Sequence, residues 1–176
     1  MFVPALFLFL VPDANEAAQA RLPEGVIVHR DLAYVSNGHE RQKLDLYLPK
    51  GGRDLPLLIW IHGGAFRMGS KNDGVKTAYI AEGYAVASLD YRLSQDALFP
   101  AQIEDCKAAV RWLRANAKSY GLDPARFAAW GPSAGGHLAA MLGTAGDVKE
   151  FDVGENLGES SRVQAVVDYF GPTDFL

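Results

Sequence analysis

The stretch "AAWGPSAGGHLAAML", Ala128 to Leu142, sets a serine among glycines where an apolar run ends and a helix-like run begins. Gly131-Pro132-Ser133-Ala134-Gly135 fits the pattern G-x-S-x-G, which gains its meaning at a strand-to-helix junction. A serine on so sharp a turn takes a strained backbone conformation, and the flanking glycines let the helix approach neighbouring strands where a Cβ would collide. The hydroxyl is then held at the carboxyl end of the sheet, where ligands bind in open α/β folds. Ser133 is the candidate nucleophile, and the alternative is a glycine-rich turn carrying an inert serine.

Working outward, short apolar runs alternate with helical periods. Strands are expected at Val26-His29, Lys43-Tyr47, Leu57-Ile61, Tyr84-Leu89, Phe127-Trp130 and Val163-Phe170. "LPLLIWI" and "VQAVVDYF" are apolar almost throughout, as strands covered on both faces must be. Helices are expected at Val75-Glu82, Pro100-Tyr120 and Ala134-Gly143; in the longest, Ile103, Ala109, Val110, Leu113 and Ala117 form an inward stripe. This alternation implies an α/β domain with a mainly parallel sheet and helices on both faces, its first two strands pairing antiparallel at one edge.

Upstream, "LLIWIHGGAFRMGS" is a buried strand followed by His62-Gly63-Gly64-Ala65. Glycines there leave backbone N–H groups unobstructed, and a tetrahedral intermediate of acyl transfer needs two or three such donors, worth about 3 kcal/mol each. The N–H groups of Gly63, Gly64 and Ala134 are the candidate oxyanion hole. A plain turn after a strand is the simpler alternative.

Composition bounds the rest. The chain has 176 residues, 49% of them hydrophobic and 11% aromatic, and a formal charge of −4 with both signs interspersed, so a nucleic-acid partner is not expected. The single cysteine, Cys106, cannot form an intrachain disulfide and reads as a packing residue. Residues 1–20 carry an apolar stretch from Phe2 to Val11 and a small-x-small ending at Ala18-Gln19-Ala20, similar to a secretory signal peptide but lacking its basic start; a vector-derived or upstream-extended start is the alternative, and localisation stays open. No segment has the length of a membrane span, and no metal or organic cofactor is implied. Tyr91 and Arg92 read as braces, with Asp90 and Asp105 as partners for Arg92, while Trp60 and Trp112 read as core.

Together "HGGAF", "LDYRLS", "FPAQIEDCKAAVRWLRANAKSYGLDPARFAAWGPSAGGHLAAMLG" and "VVDYFGPTDF" resemble the esterase-lipase branch of the α/β-hydrolase superfamily. The group resembled is that of bacterial esterases related to hormone-sensitive lipase, which includes feruloyl and acetyl xylan esterases. The resemblance implies Ser133 as nucleophile, Gly63, Gly64 and Ala134 as oxyanion donors, and a short-chain carboxylic ester as substrate. Pro132 departs from the small, acidic or polar residue usual before the serine, but its nitrogen is not one of the donors. An arylformamidase-like amidase or peptidase, a non-catalytic binding protein and an inactive fragment are the rival readings.

A serine hydroxyl needs a base, and in this superfamily the order is Ser, then Asp or Glu, then His. His29 and His39 precede the elbow at the sheet edge, and His62 is expected to prop the oxyanion loop. His137 alone follows Ser133, but from the wall of the helix, and is expected to be structural. Asp168 and Asp174 are weaker candidates for the acid. The resembled family continues beyond a point equivalent to Leu176 with the loops bearing acid and base, so residues 21–176 are expected to be a partial domain, truncated after its sixth strand. A homo-oligomer or a complementing chain is left open.

Overall fold

The computed structural model describes residues 22–174. The leader expected over residues 1–20 lies outside them. Six strands form one mixed sheet: β1 (Val26–Ala33), β2 (Lys43–Pro49), β3 (Leu55–Ile61), β4 (Ala85–Leu89), β5 (Leu122–Pro132) and β6 (Ala165–Tyr169). Their spatial order is β1-β2-β4-β3-β5-β6. The β1–β2 pair is antiparallel as expected, and β2 also runs antiparallel to β4, while β4, β3, β5 and β6 are parallel.

β3 is central because its sequence can be buried on both faces. Leu55, Leu57, Ile59 and Ile61 enter the main core, and Leu58 and Trp60 enter a second core on the opposite face with Tyr47, Val86 and Trp130. The main core is closed by α1 (Ala101–Ala115) and α3 (Ala134–Thr144). Ile103, Cys106, Ala109, Val110 and Leu113 of α1 have no exposed surface, each of the larger ones contributing about 1.5–3 kcal/mol by burial.

Two helical expectations are corrected. The helix expected over 100–120 breaks at Asn116, whose side-chain amide and backbone N–H both donate to the Trp112 carbonyl, at 2.8 and 3.0 Å. A side chain that competes with the backbone in this way interrupts the helix. The remainder is the single turn α2 (Ala117–Tyr120). Between Gly74 and Gly83 the chain makes only a 3-10 turn, Thr77–Ile80, in place of a helix over 75–82. Ile80 and Thr77 alone are buried there, too little apolar surface to offset helix nucleation. On the second-core face the described residues therefore supply this turn, whereas α1 and α3 both cover the other face.

The segment after α3 is pinned by two buried cations of α1. Lys107 donates to the carbonyls of Ala145 and Val148 and pairs with Asp152, and Arg111 pairs with the same carboxylate at 3.0 Å. Burial alone would raise the Asp152 carboxyl, but Lys107, Lys149 and Arg111 outweigh it and hold it below the usual carboxylate range. Among the described residues no cluster of three or more His, Cys, Asp or Glu is placed to hold a metal ion, and no helix is long and apolar enough to cross a membrane.

Candidate active site

Ser133 stands between β5 and α3 with φ 52° and ψ −123°, a conformation costing a non-glycine residue about 1–3 kcal/mol. It is held from both sides: its N–H donates to the Tyr169 carbonyl at 2.8 Å, and its carbonyl accepts the His137 N–H at 3.0 Å. Close backbone approach explains the glycines. A Cβ on Gly135 would lie 2.1 Å from the Ile61 carbonyl oxygen at the end of β3, and one on Gly131 would lie 2.4 Å from the Gly135 carbonyl carbon. Ala134 opens α3, so its N–H is one of those a helix leaves without an internal acceptor.

The loop after β3 lies against this elbow. A Cβ on Gly63 would come within 2.9 Å of the Pro132 oxygen and 3.5 Å of the Ser133 Cβ. The structure thus brings Gly63 beside Ser133, with Gly64 next in the chain. Among the described residues no acceptor is paired with the N–H of Gly63 or Gly64. The loop is tightly wound: Gly64, Ala65, Phe66 and Gly69 all have positive φ, at 118°, 54°, 60° and 95°. It is closed by Arg67 and Met68 N–H groups donating to the Gly64 carbonyl, and by Ser94 N–H donating to the Phe66 carbonyl at 2.7 Å. Two concave spaces flank it. One of about 410 Å³ is walled by Gly63, Gly64, Met68 and Pro132; the other, of about 460 Å³, lies between Phe66, Phe99, His137 and Met141.

Beneath the loop lies a buried polar network. His62 has no exposed surface; its ring stacks on Tyr91 at 4.4 Å, and the Tyr91 hydroxyl donates to the His62 carbonyl at 2.9 Å. Burial lowers the His62 pKa below its ordinary value, which favours the neutral ring, and raises that of Asp90. Arg41 reaches in from the β1–β2 connection: its Nε donates to the Tyr91 carbonyl at 2.9 Å, and one guanidinium nitrogen contacts Gly69 O, Asp90 Oδ1 and His62 Nε2 at 2.8, 3.3 and 3.3 Å. Asp90 also accepts the Lys71 N–H at 2.7 Å, and the Lys71 ammonium lies 2.8 Å from the fully buried Asp45.

Of the two partners expected for Arg92 only Asp105 is taken, and Glu104 lies 3.6 Å from the same guanidinium. The Arg92 guanidinium takes Asp105 at 2.8 Å, whereas Asp90 faces Arg41 and the Lys71 backbone. His29 lies in β1, His39 in the β1–β2 connection, and His137 in α3, with Nδ1 2.8 Å from the Pro172 carbonyl. Asp168 accepts the Gly171 N–H at 2.8 Å and so braces the turn after β6, in which Asp174 also lies.

Residues 44–176 match the family model described as BD-FAE. The chain belongs to the BD-FAE family. It is 36% identical over 148 residues to carboxylesterase NlhH of Mycobacterium tuberculosis, covering 76% of this chain and 46% of that protein. Esterase LipC of the same organism is 34% identical over 139 residues. Among solved structures, a truncated carbohydrate esterase from gut microbiota superposes with TM-score 0.78 at 35% identity over 84% of this chain and 57% of that one. Esterase B of Lactobacillus rhamnosis superposes with TM-score 0.68 at 31% identity, over 87% of this chain and 50% of its own. The chain spans 46% of the length of NlhH and 34% of that of LipC. The fold is that of an α/β-hydrolase of the esterase branch related to hormone-sensitive lipase, which places the BD-FAE elbow and loop in a shared scaffold.

Sequence reasoning singled out Ser133, Gly63, Gly64 and Ala134 as candidates and did not single out Arg41. Nothing around "HERQKLDLY" marks that arginine, because its partners lie 21 to 50 positions further along the chain.

Proposed function

We propose that this chain carries the nucleophile and oxyanion hole of a serine carboxylesterase. The observation that supports it most is the strained Ser133 at the β5–α3 junction with Gly63 packed against it. Ser133 Oγ attacks the ester carbonyl carbon, and the N–H groups of Gly63, Gly64 and Ala134 receive the oxyanion. Collapse of the tetrahedral adduct expels the alcohol and leaves an acyl-serine, which water hydrolyses to the free acid. The Ser133 proton passes to a general base, a role proposed for none of His29, His39, His62 and His137. The substrates proposed are short-chain carboxylic esters, including acetyl or feruloyl esters on plant polysaccharide, a class supported by the likeness to carbohydrate and carboxylic esterases. No cofactor is called for.

The test is the intact mass of the purified chain after treatment with a fluorophosphonate, beside Ser133→Ala, with hydrolysis of p-nitrophenyl acetate and butyrate followed in parallel. One adduct on the parent chain and none on the variant is the expected result. An unmodified parent, or equal labelling of both, would overturn the assignment.

A further inference from the structure

The oxyanion loop carries a feature that the proposed chemistry does not itself require. The His62 ring lies within hydrogen-bond reach of two groups, Gly63 O at Nδ1 (2.7 Å) and the Arg41 guanidinium at Nε2 (3.3 Å). A carbonyl oxygen can only accept, and a guanidinium can only donate. These two partners leave the neutral ring one arrangement: hydrogen on Nδ1, lone pair on Nε2. The ring has no surface exposed, and Gly69 packs so close that a Cβ there would lie 2.5 Å from both Nδ1 and the Gly63 oxygen.

The consequence lies on the other side of one peptide bond. The Gly63 carbonyl and the Gly64 N–H belong to the same planar trans unit and point in opposite directions. A ring N–H that fixes the Gly63 oxygen therefore also fixes where the Gly64 N–H points. Gly64 has φ 118°, in a region glycine crosses freely, so this plane needs an external restraint.

We infer that Arg41 is a positioning residue: by donating to His62 Nε2 it sets the Nδ1–H tautomer, which in turn orients the Gly64 N–H. The role of that N–H as an oxyanion donor rests on the function proposed above. The other charged or titratable groups beside the ring are Asp90, whose Oδ1 is 3.7 Å from Nε2, Asp73, and the stacked Tyr91. Asp90 is the competitor. With Arg41 absent, an acceptor near Nε2 draws a proton there, and a neutral ring then turns the Nδ1 lone pair towards the Gly63 oxygen. Arg41 opposes this arrangement, its Nη2 sharing two hydrogens among Gly69 O, His62 Nε2 and Asp90 Oδ1.

The experiment is nitrogen NMR of the full chain labelled at histidine, on the parent, Arg41→Met and Arg41→Lys, paired with the rate of Ser133 phosphonylation by the fluorophosphonate. The parent is expected to show His62 protonated at Nδ1 and bare at Nε2. Arg41→Met is expected to lose that signature and to slow phosphonylation about 10- to 100-fold, up to the lower end of the range for removing one oxyanion donor. Arg41→Lys, which keeps a charged donor, is expected to restore part of both. A merely structural arginine would leave the tautomer unchanged wherever the variant folds. A parent ring protonated at Nε2, or an unchanged tautomer in folded Arg41→Met, would overturn the inference. An unreactive Ser133 in the parent would instead overturn the esterase reading, with the nitrogen spectra still deciding what Arg41 does to His62.

Discussion

The elbow and the candidate oxyanion loop touch, yet they are held by different forces. The elbow is fixed by packing of backbone on backbone: Gly131 and Gly135 lie so close to each other and to the Ile61 carbonyl that neither has space for a Cβ. The candidate oxyanion loop is fixed by side chains arriving from elsewhere, with Arg41, Asp90 and Tyr91 all converging on His62 and its neighbours. Steric restraints tolerate no substitution and ignore pH. Polar restraints are graded, and each can be weakened separately.

Breaking the elbow should have the largest effect. Gly135→Ala places a methyl against backbone that cannot move aside, and is expected to cost about 3 kcal/mol, read from the urea midpoint, and to abolish Ser133 labelling. The loop should yield by degrees. Asp90→Asn removes the charge facing Arg41 while preserving shape, and is expected to cost about 2 kcal/mol in the same assay, with the phosphonylation rate falling more than stability accounts for. Tyr91→Phe removes only the hydroxyl that donates to the His62 carbonyl at 2.9 Å, and about 1 kcal/mol is expected. If Asp90→Asn proved as damaging as Gly135→Ala, the distinction between steric and polar restraint would fail.

The smallest effect is pH-dependent and belongs to the loop alone. Burial lowers the His62 pKa in the folded state, so the unfolded chain binds that proton more readily. Above the ordinary histidine value of about 6.5 neither state is protonated there, and the contribution vanishes. As pH falls below it, stability should decline. Melting temperatures of the parent and His62→Gln, compared across pH 8 to 5, should converge on acidification; curves that stay parallel would mean that His62 titrates alike in both states.

The elbow was legible because its pattern is local. Five consecutive letters between an apolar run and a helical period mark the turn, although Ile61 and Tyr169 from neighbouring strands complete its packing and hydrogen bonding. The Arg92–Asp105 pair was also readable, one strand end facing the helix that follows it. Asp90 was not: beside Arg92 in sequence, it turns instead to Arg41 and to Lys71. Asp90 and Arg92 are two positions apart, which in a strand would put them on one face, but both lie past the end of β4, where the period of two no longer holds and sequence does not say which partners wait there.

The sequence by itself determined the α/β alternation, the two-faced burial of "LPLLIWI", and the residues of the elbow and the candidate oxyanion hole. These follow from periodicity and from the backbone freedom of glycine. Only the tertiary structure decided that 75–82 winds into one 3-10 turn, that the long helix breaks at Asn116, and that Arg41 sits beneath the loop. Helix length depends on how much apolar surface the sheet can receive. An arginine 21 residues before the histidine it contacts becomes its neighbour only when β2 has paired with β4 and brought the β1–β2 connection beneath the end of β3.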